Sequence, residues 1–514
     1  MSAAHFNWTE PLCFKEIAPW LSRPLDRGTL MEGFARYNAT HRSIFLLAIE
    51  QGAVRLLDKP GFRVRAEFNE GSTAVADDAG LIYKEEFIRA HMYRAFFQRV
   101  LAHLRLPLSI TVAIDVNDDP IQQASVPVFA FQKRRGSNTL LIPDVDFLHN
   151  RFYVPAEFRD RIAYRDKTST AIFAGSTTGG RTITEDDVRS LSIPRLRSAM
   201  FFKDKERVDF RLPRIVQCAS HRTQEMIEAL GFGVGRCPWA EQFTHRLILS
   251  MDGNGATCSR VAIALRSRGV LVKYDSPHLL YYFNELIPWR HYIPVSTDED
   301  ILDLAEVEER RPGVFQSIAE EGRAFAKTHL SPEGVTAYTG ALLAMYAGCL
   351  GDEGPWPPVH GVRADPGEER TRVSVDAGAH IQGLGDVWAW PDEWVGEPGS
   401  GRAIEAIIVV PDEPLELDDV EYRVMLQDGA LSEWARAGEL CGTLGQDAPL
   451  RGFCLRLGAS AAQDYECIYQ ASFVGGHTLG PFRAGELCAA DTTARLEAFR
   501  VEIARKRNRE AAEP

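Results

Sequence analysis

Three short segments of this chain combine glycine, hydroxyl and charge in spacings that suit chemistry. MDGNGATCSR, residues 251–260, sets Gly253 and Gly255 where backbone can approach a ligand. A helix starting behind them would offer unpaired N–H groups and positive potential, and Arg260 in its first turns would clamp phosphate oxygens. The alternative is a tight strand-to-helix connection. AGSTTGGR, residues 174–181, has the glycines and hydroxyls of a ligand loop but lacks the Gly-Lys-Ser/Thr of a P-loop, which argues against a nucleoside triphosphatase. Its alternative is a flexible turn. Asn117-Asp118-Asp119-Pro120 places two adjacent carboxylates where one can serve as a general base; Asp-Asp-Pro is also ordinary turn chemistry. Asp144-Val145-Asp146 matches the Asp-x-Asp that chelates metal in one class of sugar-nucleotide enzymes, but so short a match is expected by chance. The thirteen histidines include no His-Glu-x-x-His. His245, His278 and His291 flank apolar segments and read as structural, so no metal site is expected.

The elements around these loops alternate short apolar runs with helical patterns, the signature of an α/β chain. Residues 107–116 (PLSITVAIDV) predict a buried strand ending at the acidic turn. Residues 168–173 predict a second strand, ending at the 174–181 loop. Then come a strand over 245–250, the 251–257 loop, a helix over 258–268 and a strand over 270–274. Another strand is expected at 291–295, and Ser296-Thr-Asp-Glu299 predicts a capping box that opens a helix. Residues 334–350 predict a last amphipathic helix. Residues 351–375, dense in Pro, Gly and charge, read as a linker. Beyond it, openings at His380, Tyr422 and Tyr469, two copies of AGELC ending at Cys441 and Cys488, and three closing apolar strands form a repeat. Its period is about 45 residues, and three such units predict a pseudo-threefold all-β module over 376–510, a β-prism or a β-trefoil.

Composition narrows the class. A chain of 514 residues exceeds one compact core and implies two to four domains. The net charge of −13 disfavours a nucleic-acid binder or an anionic-membrane binder. Nine cysteines without a Cys-x-x-Cys pair fit a reducing compartment rather than a disulfide framework or a zinc site. No secretory signal and no apolar run of membrane-spanning length is visible. The expectation is a cytoplasmic protein, at most peripheral to the inner face of the membrane.

Taken in order, Phe173-Ala-Gly-Ser176, Asp252 to Arg260, and LVKYDSPHLLYYFNELIPWRHYIPV over 271–295 resemble glycosyltransferase family 90. That family contains the capsule- and lipopolysaccharide-modifying transferases and the animal protein O-glucosyl- and O-xylosyltransferases. The resemblance covers roughly residues 105–345, and the run to Val295 carries it most specifically. It implies a GT-B fold: a Rossmann-like acceptor domain over 1–165, a Rossmann-like donor domain over 166–330 and a returning helix over 331–350. It further implies an inverting transferase that uses a UDP-sugar and needs no metal or other cofactor. Asp118 falls at the position of the family's catalytic base. The donor-binding set would be Gly175, Ser176, Thr177, Gly253, Asn254, Gly255, Thr257, Ser259 and Arg260, with Asp119, Arg181 and Asp252 as further candidates. Ala174 stands where the family often has Arg, and Thr177 replaces another cation of the animal members. Asn117 and Asp119 replace Arg and Tyr beside the base, so the acceptor surface should differ. The expected acceptor is a hydroxyl of a glycan or lipid-linked glycan in surface polysaccharide synthesis, receiving xylose, glucose or a similar sugar. The alternative from another class is a non-catalytic polysaccharide-binding protein, with Trp388, Trp390, Trp394 and Trp434 of the β repeats stacking on sugar rings.

Overall fold

The computed structural model describes residues 3–21, 26–64, 81–82, 84–153, 156–232, 235, 237–350, 372–373, 375–383, 385–389, 394–411, 414–475, 477–490 and 493–506. Most of the expected linker (351–371), Trp390 and the side chain of Trp388 lie outside them. The chain divides into two compact units, one holding Met1–Tyr153 with Glu157–Ala364, the other Asp365–Pro514 with Val154–Ala156.

The first unit is built around two five-stranded sheets. In the first, IFLLAIE forms β1 (Ile44–Glu50), buried at every position but Glu50, as a strand covered on both faces must be. It pairs antiparallel with β2 (Ala53–Leu56) on one side and with β3 (Ile110–Asp115) on the other, Phe45 lying opposite Ile114. β3 runs parallel to β4 (Val128–Ala130); past β5 (Lys133–Arg134), which leaves the sheet, β4 pairs in parallel with β6 (Leu140–Leu141). The order is β2-β1-β3-β4-β6. This mixed sheet departs from the parallel arrangement implied for a Rossmann-like first domain. The reason is local: Gln51 and Gly52 between β1 and β2 both take positive φ, 52° and 82°. Such a two-residue turn closes a hairpin, whereas a parallel neighbour needs a crossover of about a dozen residues.

The second sheet is wholly parallel. β7 (Thr168–Ser176), β8 (Val208–Arg214), β9 (His245–Ser250), β10 (Val270–Tyr274) and, beyond β11 (His278–Leu279), β12 (Ile293–Val295) line up as β8-β7-β9-β10-β12. Five of the six residues of β9 are buried. β11 leaves the sheet and pairs antiparallel with β5, His278 opposite Arg134, which forms a ribbon between the two halves of the unit. After β12 a capping box forms one residue later than expected, with Thr297 as N-cap and Asp300 returning the bond. The shorter Asp side chain can reach the N-cap N–H because both groups lie in one tight turn.

Six helices matter for the site: α1 (Ala3–Leu21), α2 (Lys84–Leu104), α3 (Val145–His149), α4 (Pro194–Phe202), α5 (Cys258–Arg266) and α6 (Pro332–Leu350). α6 lies against the first sheet, where the Tyr338 hydroxyl donates to the Leu141 carbonyl at 2.9 Å and the Tyr346 hydroxyl to that of Thr111 at 3.0 Å. Gly340 lets α6 pack closely on α2, because a Cβ there would sit inside the Leu104 side chain. On α1, the Cys13 thiol faces the Tyr338 carbonyl at 3.6 Å.

The second unit is antiparallel and built around one apolar core. Its three sheets share one plan. Numbering on from β12, β13 (Arg372–Val373) precedes the first repeat, β14 (Val375–Ile381), β15 (Gly385–Ala389), β16 (Val395–Gly396) and β17 (Ile404–Pro411). The second repeat is β18 (Val420–Met425), β19 (Ala435–Arg436), β20 (Cys441–Gly442) and β21 (Gly452–Leu457). The third is β22 (Tyr465–Phe473), β23 (His477–Arg483), β24 (Cys488–Ala489) and β25 (Leu496–Arg505). In each repeat the first strand pairs with the second and the closing strand. The short strand crosses to another repeat: β20 pairs with β17, β24 with β21 and β16 with β25. The register makes Ile407, Phe453 and Phe499 equivalent, facing Cys441, Cys488 and Val395. By the same register Tyr422 and Tyr469 correspond to Ala377 in the first repeat, not to His380.

Candidate functional site

The acidic turn after β3 is organised by the strand's last residue, Asp115. Asp115 is buried, and its carboxylate accepts from the backbone N–H groups of Asn117 (3.1 Å) and Ile121 (2.8 Å). Burial pushes this carboxyl group upward, partly opposed by those bonds. The turn so held projects Asp118 outward. Arg89 from α2 donates through Nη1 to Asp118 Oδ1 and to the Val116 carbonyl, both at 2.9 Å. Both side chains of this ion pair keep about a third of their surface or more, 32% and 40%, so it orients more than it stabilises. Asp119 takes a separate path and pairs with Arg134 at 3.2 Å on the surface.

Asp118 sits where the two halves meet. Its Oδ2 accepts from the Asn254 amide at 3.4 Å, and its main-chain carbonyl accepts from the Gln132 amide. Gln132 in turn accepts the Ala256 N–H at 2.8 Å, so one side chain ties the acidic turn to the 251–257 loop. Gly255 makes this possible, since a Cβ there would fall 2.6 Å from Gln132 Cδ. At Gly253 a Cβ would fall 2.9 Å from Arg195 Nη2. Both glycines therefore make room for side chains of the protein itself.

Arg195, at the second position of α4, ties together the ends of β7 and β9. It is 4% exposed. It donates to the carbonyls of Asp252 (3.1 Å), Ser176 (2.9 Å) and Met251 (2.7 Å) and to the Thr178 hydroxyl (2.8 Å). Arg260 on α5 donates to Gln242 Oε1 at 2.9 Å and to the Ala174 carbonyl, with its guanidinium 4.7 Å from the Phe173 ring centre and 5.2 Å from that of Trp239. Among the described residues no carboxylate hydrogen-bonds to either cation. Burial lowers the Arg195 pKa to about 10, with Asp252 opposing. Burial, and then Arg195 itself, lowers that of Arg260 to about 9. These are charges satisfied by neutral oxygens but not neutralised, at the carboxyl ends of β7 and β9 beside the N-terminus of α5. Cations withdrawn from water in this way, Arg195 fully and Arg260 in part, are stabilised by an anion.

The remaining candidates divide. The Ser176 hydroxyl lies 3.2 Å from that of Thr178, and a Cβ on Gly175 would press on the Phe173 ring. Thr177 is fully buried and exchanges bonds with the Val216 main chain at 2.9 Å. Thr257 bonds the Ser250 hydroxyl at 2.6 Å, and Ser259 bonds the Asp146 carboxylate across the two halves. Asp144 accepts the Asp146 N–H at 2.9 Å at the start of α3. Arg181 forms a two-pronged pair with Asp187 at 2.6 and 2.7 Å, which also holds the Asp187 carboxyl well below the usual carboxylate range. Asp252 accepts from His278 Nδ1 at 2.7 Å and from the Ser276 hydroxyl. No group of three or more His, Cys, Asp or Glu among the described residues is placed to hold a metal ion. Arg89, Gln132 and Arg195 have no motif around them and only their contacts reveal them, whereas His278 lies in the 271–295 run and reads from sequence as structural.

Comparison with known proteins adds an independent line. The profile described as Glycosyl transferase family 90 matches residues 79–353. Protein O-glucosyltransferase 2 of Danio rerio is 33% identical over 106 residues, which is 20% of this chain and 21% of that protein. Protein O-glucosyltransferase 1 of Homo sapiens is 37% identical over 70 residues, 13% of this chain and 18% of that one. The chain thus matches only 21% and 18% of the lengths of these relatives. Among solved structures, the C-terminal domain of a glycosyl transferase group 1 family protein (LpcC) from Francisella tularensis aligns with 36% of this chain and 98% of that one, at 12% identity and a TM-score of 0.22.

Proposed function

Because the chain belongs to glycosyl transferase family 90, we propose that it moves a sugar from a UDP-sugar to an acceptor hydroxyl, with inversion and without a metal. The observation that carries this reading is the pair of guanidiniums at the ends of two parallel strands, Arg195 buried and Arg260 half-buried, with no carboxylate bonded to either among the described residues. A diphosphate supplies the missing charge there. Asp118, tied to the same loop through Asn254 and Gln132, removes the acceptor proton as the acceptor oxygen bonds to the anomeric carbon. The bond from that carbon to the diphosphate oxygen breaks on the opposite side, and UDP leaves with the electron pair. Cations and a helix N-terminus fixed at the leaving group stabilise the charge that develops there.

The two α/β halves are read as the domains of a GT-B transferase. The acceptor is a glycan or lipid-linked glycan of surface polysaccharide, and the transferred sugar is glucose, xylose or a close relative. Three sheets exchanging short strands in a cycle support a β-prism over a β-trefoil for the second unit. The competing reading, a glycan-binding protein acting through its β repeats, is less supported. The Trp434 ring already lies against Arg423 and Arg456 at 4.5 and 3.9 Å, and that of Trp394 against Arg500 at 5.2 Å. UDP release from a panel of nucleotide sugars, with and without glycan acceptors and in EDTA, tests the proposal. Acceptor-stimulated release that persists in EDTA is expected. Glycan binding without release from any donor would reverse the choice.

A further inference from the structure

We infer that Asp252 and His278 form the part of the site that reads the hydroxyls of the donor sugar, an assignment that rests on the nucleotide-sugar reading above. The two residues lie just beyond the carboxyl ends of neighbouring strands β9 and β10. His278 Nδ1 stands 2.7 Å from Asp252 Oδ2, and Ser276 donates its hydroxyl to the same oxygen. The Ser276 oxygen also accepts the His278 N–H at 3.0 Å, so a short turn presses the imidazole against the carboxylate. The pair is not sealed: the side chains keep 15% and 22% of their surface.

Position joins the dyad to the rest of the site. Asp252 is two residues from Asn254, whose amide reaches Asp118, and its own carbonyl accepts from Arg195 Nε at 3.1 Å. His278 lies on the β5–β11 ribbon opposite Arg134, in the seam between the halves. With Nδ1 committed to Asp252, the imidazole Nε2 has no partner among the described residues.

The chemistry selects the ligand. A ring nitrogen oriented by a carboxylate hydrogen-bonds a hydroxyl well, and the second carboxylate oxygen adds another acceptor. The same carboxylate repels phosphate oxygens. The dyad therefore suits the neutral, hydroxyl-rich end of a nucleotide sugar, while Arg195 and Arg260 suit its diphosphate. A site built to bond a particular hydroxyl discriminates steeply against donors that lack or invert it.

The test uses the full chain, calorimetry with UDP, and steady-state kinetics with UDP-glucose, UDP-galactose and UDP-xylose. His278→Ala should leave UDP affinity unchanged. It should shrink the ratio of kcat/KM between the best and poorest donor by about tenfold or more. His278→Gln, which keeps a hydrogen-bonding end, should restore part of that ratio. An unchanged donor ratio with native UDP affinity overturns the assignment. So does a loss of UDP affinity as large as the loss of kcat/KM, which would make the pair a prop for the loop. A wild-type protein that binds no UDP and uses no donor defeats the nucleotide-sugar reading, and the dyad assignment with it.

Discussion

Arg89 holds one oxygen of Asp118 at 2.9 Å, while the other is met by Asn254 at 3.4 Å, a long bond that an acceptor hydroxyl can replace. A carboxylate anchored on one side and loosely held on the other is well placed to receive a proton. Asp118→Asn should therefore keep UDP affinity by calorimetry and lower turnover by about 10²–10⁴-fold, the usual effect of losing a general base. Wild-type turnover in that variant would remove Asp118 from the chemistry. The two cations should behave differently from each other. Hydrogen bonds to charged groups contribute about 1.5–3 kcal/mol, so Arg260→Ala should weaken UDP binding by about tenfold or more. Arg195→Ala should do so too, and should also lower the melting temperature, because three carbonyls lose their donor. Asp118 and Arg260 can be singled out as candidates from sequence, because one follows a strand end and the other opens the helix behind a glycine-rich loop. Arg195 cannot, since its partner Met251 is 56 residues away and nothing near Pro194 marks it.

Among the elements, the contact between Gly255 and Gln132 is the most open to test. Gly255→Ala would drive a methyl group into an amide pinned at both ends by Asp118 and Ala256. Overpacking of this kind costs about 1–3 kcal/mol, and denaturant unfolding should show that loss. Gly255→Ala combined with Gln132→Ala should recover most of it; no recovery would mean that the glycine serves the backbone instead. The same loop shows where element reading works. The strands His245–Ser250 and Val270–Tyr274 coincide with the expected spans, because short apolar runs between glycine-rich turns leave little choice of ends. The β1–β2 hairpin was not anticipated. IFLLAIE is apolar along its whole length and carries no alternation to announce its partner, so only the two-residue turn after it decides the antiparallel pairing.

For the whole molecule, the cyclic exchange of short strands in the second unit has a mechanical consequence. β25 receives both β13 and β16, so the third repeat closes on the first and on the strand ahead of it. A chain ending at Ser460 loses that closure, exposes strand edges and uncovers the shared core. Limited proteolysis should then remove the β repeats, whereas the full chain should resist; equal resistance would mean that each repeat stands alone. By itself the sequence determined the α/β alternation, the repeat and the positions of the glycine-rich loops at strand ends, because period, turn glycines and strand-end charges are local patterns. Only the tertiary structure decided what the glycines make room for and which cations lack a bonded carboxylate among the described residues. Those outcomes depend on contacts such as Gln132 with Ala256, 124 residues apart, and Asn254 with Asp118, 136 apart. No local pattern can encode a partner at that distance, because the partner is chosen by how the two sheets come together.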